Sequence, residues 1–346
     1  MFKSKILSSV LVAPLFAGVL ASDDAAAKGN NHQGPDFRFA LVGDVPYAAG
    51  DVAKFDAVID DINEAGVKFV AHVGDIKGGS DRCSDELITE RFEQYEQFDA
   101  PFVYTPGDNE WTDCHREAAG QYNPIERLDF VRNLFFPHPG KTTGGKRMRV
   151  RTQAQHPAYR EYVENVLFVR KRVVFSTIHI VGSNNGLRPW SGIGEDPENP
   201  IAERLEEVAE REAASIAWLR RTFREAHRRH AKGVLLFIHA NPRFELPQGD
   251  PNRAGFDAFL AELVDLTVAF DRPVVVAHGD SHYFRIDKPL MAPTVDGPMR
   301  RLADVTRVET FGSADVHWVE VTVDPRTDNV FHFEPRIVDS NKFERP

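Results

Sequence analysis

The sequence predicts an α/β fold, on three observations. Apolar β-prone runs alternate with amphipathic helical segments, three such strand-helix units follow one another near the start, and nearly every apolar run stops at Gly-Asp or His. FRFALVGD (37–44) reads as a strand, residues 51–66 as a helix with Phe55, Val58, Ile59 and Ile62 on one face, and KFVAHVGD (68–75) as the next strand. Residues 84–99 read as a helix, and PFVYTPGD closes the third unit. Strand-helix repeats of this kind imply a parallel sheet covered by helices.

Further along, residues 124–135 read as a helix, and VLFVRKR and VVFSTIHIVGSNN as an antiparallel pair. A long charged helix spans Ile201 to about Arg229, with Leu205, Val208, Ile216, Leu219 and Phe223 at helical spacing. The strand GVLLFIHANP, a helix over 256–270, the strand PVVVAHGD and a hairpin around Pro325 to Asn329 complete the pattern. No solenoid-period repeat and no low-complexity linker interrupts it, so one domain is expected.

A chain of 346 residues with 42% hydrophobic content has enough core for an enzyme. Residues 1–27 carry Lys3 and Lys5, an apolar run from Ile6 to Leu20, and small residues at Ala21 and Ala25 to Ala27, the layout of a cleaved secretory signal. A retained anchor is the alternative. The run is short for a membrane span, and an exported, periplasmic or extracellular protein with no span in its mature form is expected. Removing two Lys and two Asp leaves the net charge at −10, which argues against general nucleic-acid binding.

Cys83 and Cys114 are the only cysteines. Each follows a Gly-Asp turn at the end of a predicted strand, so neighbouring strands bring them together, and an oxidising compartment favours a disulfide. Two unpaired buried thiols are the alternative; zinc ligation lacks the CxxC spacing.

Five strand ends carry polar residues of one kind: VGDVPY with Asp44, VGDIKGG with Asp75, PGDNEW with Asp108 and Asn109, FIHANP with His239, and HGDSHYFR with Asp280 and His282. A single Gly-Asp is explained by a turn or cap. A parallel sheet delivers all five to one edge, where four carboxylates repel unless a cation neutralises them. Eight basic residues between Lys146 and Arg172 read first as solvated hairpin charges and second as a phosphate-holding patch. Asp81, Asp85 and Asp113 read as caps or surface charges, and His72 and His278 as buried groups facing away from the site.

In order and spacing these motifs resemble the calcineurin-like metallophosphoesterase superfamily, whose series is D-x-H, G-D-x-x-D, G-N-H-E/D, a lone His and G-H-x-H. The resemblance covers about residues 37–335 and places one domain at 36–340. It implies an α/β/β/α sandwich around a central mixed double β-sheet. It further implies two metal ions: Asp44 and His282 on the first, Asp75 bridging, and Asp108, His239 and Asp280 on the second. Pro46, Asp108-Asn109 and Asp280 depart from the pattern, trading His and Asn for carboxylates, and two divalent ions would bring the four carboxylates to zero net charge. Oxygen-rich ligation favours Mn²⁺, with Mg²⁺, Ca²⁺, Fe or Zn²⁺ as further options.

The implied activity is hydrolysis of a small phosphate mono- or diester by attack of metal-bound hydroxide. Asn109 stands where the family often places its leaving-group donor, and it would contact the phosphoryl group instead; His115 and Glu110 are alternative acids. Tyr47 and Asn184 are expected to touch substrate, with Trp111 and Tyr283 as further wall candidates. The alternative reading is a catalytically eroded metal- or phosphate-binding protein on the same scaffold.

Overall fold

The structure is a computed structural model describing residues 36–294 and 296–343; the predicted signal sequence, residues 1–27, lies outside them. In chain order the strands are β1 (Phe37–Val42), β2 (Val70–His72), β3 (Phe102–Tyr104), β4 (Arg151–Thr152), β5 (Val166–Arg170), β6 (Val173–Thr177), β7 (Gly233–Phe237), β8 (Val274–His278), β9 (Arg285–Asp287), β10 (Met291–Pro293), β11 (Met299–Arg301), β12 (Val305–Glu309), β13 (Trp318–Val323) and β14 (Phe331–Arg336). A five-stranded sheet has the order β14-β13-β1-β2-β3, and a seven-stranded sheet the order β4-β5-β6-β7-β8-β12-β9.

Both sheets are mixed. The first three strands run parallel, with the tail hairpin β13-β14 added antiparallel to β1. In the second sheet β6, β7, β8 and β12 are parallel, and β5 and β9 are antiparallel to their neighbours. The sheets pack face to face through one apolar layer, with Phe37, Phe39, Leu41 and Phe69 against Phe175, Phe237, Val275 and Val308. Phe39 meets the rings of Phe175 and Phe237 edge-on, each at 5.9 Å between centroids, a favoured aromatic geometry.

Helices cover the outer faces. Ala49–Ala65 turns Phe55, Val58, Ile59 and Ile62 onto the first sheet and stops at Gly66, whose φ of 64° suits a residue without a Cβ. Asp85–Tyr95 is capped by the Ser84 hydroxyl on the Leu87 amide, and Pro124–Phe135 by the Asn123 side chain. Ala202–Arg228 and Asp257–Phe270 cover the second sheet through Leu219, Phe223, Phe259 and Leu263. The α/β/β/α sandwich is therefore present.

Three details differ from the sequence expectation. Leu205 is 46% exposed; Arg204 and Arg211 take inward positions on that helix, paired with Glu195 and Glu207. The strand expected over 68–75 shrinks to Val70–His72, because its last residues leave the ladder to build the site. Strands β9 to β12, unread in the sequence, include β12 between β8 and β9, which brings Thr310 to the site. Cys83 and Cys114 form a disulfide with Cα atoms 5.7 Å apart.

Candidate metal centre

Strands β1, β2 and β3 of one sheet and β7 and β8 of the other all point their C-terminal ends at the same place, and the loops after them carry every predicted ligand. Backbone geometry there is unusual: Asp44 (φ 58°), Asp75 (56°), Asp280 (77°) and His282 (55°) are all left-handed. Such conformations cost about 1 to 3 kcal/mol apiece and persist where surroundings impose them. Here the Asp44 amide donates to the Gly74 carbonyl, the Asp44 carbonyl accepts from the Ser313 amide, and the Asp280 amide donates to Asp44 Oδ1 at 2.8 Å.

Glycines make the room. A Cβ on Gly279 would lie 2.0 Å from Asp44 Oδ2, one on Gly107 would lie 2.1 Å from Asp75 Oδ1, and one on Gly182 would lie 2.3 Å from Asp108 Oδ1.

Two groupings place ligand atoms within 4.8 Å of one another: Asp44, Asp75 and His239, and Asp108, His239 and Asp280. His239 Nε2 lies 2.8 Å from Asp108 Oδ1 and 3.3 Å from Asp75 Oδ1, while its Nδ1 bonds the Val73 carbonyl at 2.8 Å. That carbonyl fixes the proton on Nδ1 and leaves Nε2 free for one ion. His282 is held the same way, Nδ1 on the Ser313 carbonyl at 2.7 Å and Nε2 3.6 Å from Asp44 Oδ1. His239 thus belongs to both groupings by distance, but one lone pair cannot serve two ions. The two oxygens of Asp75 can.

The electrostatics call for cations. Burial raises the pKa values of Asp44 and Asp75, and burial and then Asp108 push Asp280 up to about 6. Burial alone would lower the His239 pKa, but Asp75, Asp108 and Asp44 outweigh it and raise it well above the usual histidine value. Four carboxylates, three of them buried and Asp280 partly exposed, gathered with two histidines make an oxygen-rich set that fits divalent cations favouring oxygen ligands.

Around this floor lies a cavity of about 670 Å³ lined by Tyr47, Asn109, Asn184 and Asn241 among others. The Tyr47 hydroxyl donates to Asp75 Oδ2 at 2.8 Å, and Asn109 Nδ2 donates to the same oxygen at 2.6 Å. Asn184 lines the wall, with its amide also bonded to the Pro251 carbonyl and the Gly255 amide.

Glu110 is buried. Its Oε1 accepts from the Tyr104 hydroxyl and the Gly107 and Asp75 amides, so it braces the turn. His115 accepts the Gly192 amide proton at Nδ1, and burial and then Arg116 push its pKa down to about 4, leaving it neutral at pH 7. It is not among the residues lining the cavity.

Other placements are plain. Trp111 is fully buried against Leu128 and Val181, and Tyr283 is 67% exposed. His72 accepts from the Gly74 amide and bonds the Val45 carbonyl, and burial pushes its pKa down to about 3. His278 is likewise buried and bonds the Gly279 carbonyl. The basic segment 146–172 lies elsewhere: Arg147 pairs with Glu96, Arg151 with Glu225, and none of its charges lines the cavity.

Asp113 corrects the reading as a surface charge. The short helical turn Thr112–His115 folds it beneath Asp108, its amide donating to the Asp108 carbonyl, and it is 2% exposed. The Ser183 hydroxyl sits between Asp108 Oδ2 (3.2 Å) and Asp113 Oδ1 (2.8 Å). The cavity also gains Arg116, Arg188 and Arg243, which the sequence reading passed over. Left-handed backbone at Ser183, Asn184 and Asn185 accompanies this wall, and the run Gly-Ser-Asn-Asn-Gly was its one signal in the sequence.

No family model matches the chain, and no curated protein matches it. Among solved structures, the chain is similar to a dimetal phosphatase from Danio rerio, with 11% identity, 87% of this chain and 96% of that chain covered and a TM-score of 0.46. It is similar to GAP50, the anchor in the inner membrane complex of Plasmodium, with 11% identity, 87% and 89% covered and a TM-score of 0.47. It is also similar to purple acid phosphatase PPD1 from yellow lupin (Lupinus luteus) seeds, with 12% identity, 89% and 52% covered and a TM-score of 0.44.

Proposed function

We propose that the chain is an exported, metal-dependent phosphoester hydrolase of the calcineurin-like type. One observation carries this: Asp44, Asp75, Asp108, His239 and Asp280, drawn from five strand ends of two sheets, bring their ligand atoms together beside an open cavity, and His282 approaches Asp44 to 3.6 Å. These residues would hold two divalent ions, Mn²⁺ favoured, and the two oxygens of Asp75 would let it serve both. When bound, the ions supply Lewis acidity that activates water and offsets charge on phosphoryl oxygens.

The chain's own groups do the rest. Tyr47 and Asn109 fix the Asp75 carboxylate, and Asn109 Nδ2, also bonded to the Lys77 carbonyl at 3.1 Å, would reach a phosphoryl oxygen at the cavity floor by exchanging one of these bonds for it. Export is supported by the disulfide, which reducing compartments do not maintain, and no helix among the described residues is long and apolar enough to cross a membrane.

The test is metal titration by calorimetry with p-nitrophenyl phosphate turnover, for wild type and Asp75→Asn. Two ions and metal-dependent turnover in the wild type are expected, with turnover lower by about 100-fold or more in the variant. Full stoichiometry and activity in the variant would remove Asp75 from the site. The replacement of a proton donor by Asn109 favours one second reading, a non-catalytic binder; metal and phosphate binding without turnover of any ester would establish it.

A further inference from the structure

A leaving alkoxide needs a proton, and an amide such as Asn109 cannot supply one. The protonated groups near the cluster are committed elsewhere. The Tyr47 hydroxyl donates to Asp75, and the Lys77 ammonium donates to the carbonyls of Gly78 and Asp81. His115 faces the Gly192 amide.

What stands beside Asn109 is a guanidinium. A Cβ on Gly79 would lie 2.6 Å from Arg116 Nη1 and 2.8 Å from Asn109 Oδ1, so both groups border the same small volume at the cavity wall. Arg116 is anchored from behind, its Nη2 paired with the buried Asp113 carboxylate. Arg188 and Arg243 line the same cavity, and neither has a carboxylate partner among the described residues.

We propose that Arg116 takes the place of a proton donor by pairing with the departing oxygen as an anion, which restricts the site to phosphoryl compounds with weakly basic leaving groups, phosphoanhydrides and aryl esters, over alkyl esters. This rests on the proposed hydrolase. One P–O bond forms to the oxygen of water, whose proton goes to solvent; the P–O bond to the leaving group breaks with its electron pair on the departing oxygen. Arginine stays protonated throughout, and the departing anion takes a proton from bulk water according to its own basicity. Where that anion is itself a phosphate, Arg188 and Arg243 offer its remaining charge a partner.

The experiment is a leaving-group series on the Mn²⁺-loaded protein: p-nitrophenyl, phenyl and glycerol phosphates with inorganic pyrophosphate, for wild type, Arg116→Lys and Arg116→Gln. Binding of methylenediphosphonate, which is not hydrolysed, is measured alongside by calorimetry. The wild type is expected to favour p-nitrophenyl phosphate and pyrophosphate over glycerol phosphate by about 100-fold or more. Arg116→Gln is expected to steepen the dependence of kcat on leaving-group basicity and to weaken methylenediphosphonate binding about tenfold, with Arg116→Lys recovering part of both.

Equal loss across the series in Arg116→Gln, or wild-type hydrolysis of glycerol phosphate as fast as p-nitrophenyl phosphate, overturns the inference and leaves the hydrolase standing. No turnover of any member, with Mn²⁺ and methylenediphosphonate still bound, overturns both. A lowered melting temperature in Arg116→Gln but not in Arg116→Lys identifies a folding effect, and the lysine variant then decides the question.

Discussion

At Asp75 the two carboxylate oxygens face different partners. Oδ1 is 3.3 Å from His239 Nε2 and accepts the Asn109 amide, while Oδ2 accepts the Tyr47 hydroxyl and Asn109 Nδ2. Tyr47→Phe removes one of those donors without changing any charge, and a lost hydrogen bond of this kind to a ligand costs about tenfold in metal affinity or activity. Metal titration checks it; unchanged affinity would make Tyr47 a wall and nothing more. Gly279→Ala places a methyl group 2.0 Å from Asp44 Oδ2, so it is expected to displace Asp44 and weaken metal binding about tenfold or more, read by the same titration.

The main ligand candidates were legible because their signal is local: an apolar run and then a Gly-Asp or His within two residues. Asp113, Ser183 and Arg116 were not. Their roles come from chain folding back across the site, and nothing in TDCHR or GSNNG distinguishes a buried partner from a surface turn.

At the scale of elements, the disulfide ties the loop after β2 to the turn after β3. The bridged residues are separated by 31 positions, and the chain-entropy model assigns closure of such a loop about 3 to 4 kcal/mol. Cys83→Ser with Cys114→Ser is expected to lose that much by urea unfolding, and metal affinity with it, since Asn109 lies between the two cysteines. Ellman titration of the unfolded, unreduced wild type finds no free thiol if the pairing holds.

A second buried network, Arg132-Glu164-His179, ties Pro124–Phe135 to the second sheet. Burial raises the Glu164 pKa, but Arg132 and His179 outweigh it and bring it from 4.5 down to about 2. A depressed carboxylate pKa contributes stability above the unfolded value and loses it as pH falls, so this pair's contribution, about 3 kcal/mol, is expected to vanish between about pH 4.5 and pH 2. Glu164→Gln is expected to be less stable at pH 7 and to show a flatter decline on acidification, measured by urea melts across pH.

The long apolar strands and helices were readable from periodicity. Strands β9 and β11, Arg-Ile-Asp and Met-Arg-Arg, carry no apolar alternation, and only their pairing partners make them strands. Inward Arg204 and Arg211 broke the helical pattern for a comparable reason: a charge can face inward where partners wait for it, and although Glu207 stands one turn before Arg211 on the same helix, Glu195 for Arg204 and Asn185 for Arg211 are brought in only by the fold.

Across the whole molecule, two mixed sheets share one apolar layer, and that layer aligns the C-terminal ends of five strands on a cluster that charge repulsion alone would open. Divalent ions binding the folded state alone would stabilise it by mass action. A chelator is therefore expected to lower the melting temperature and Mn²⁺ to restore it, while Asp75→Asn shows a smaller rise. The overall architecture was readable only through the order of motifs, since periodicity predicts strands and helices and does not predict which sheet each strand joins.

The most direct test of the central claim is hydrolysis of bis-p-nitrophenyl phosphate by chelator-stripped protein, with and without added Mn²⁺, beside Asp75→Asn. The account predicts turnover that requires the metal and disappears in the variant. Turnover that persists without metal, or that Asp75→Asn retains in full, would contradict it.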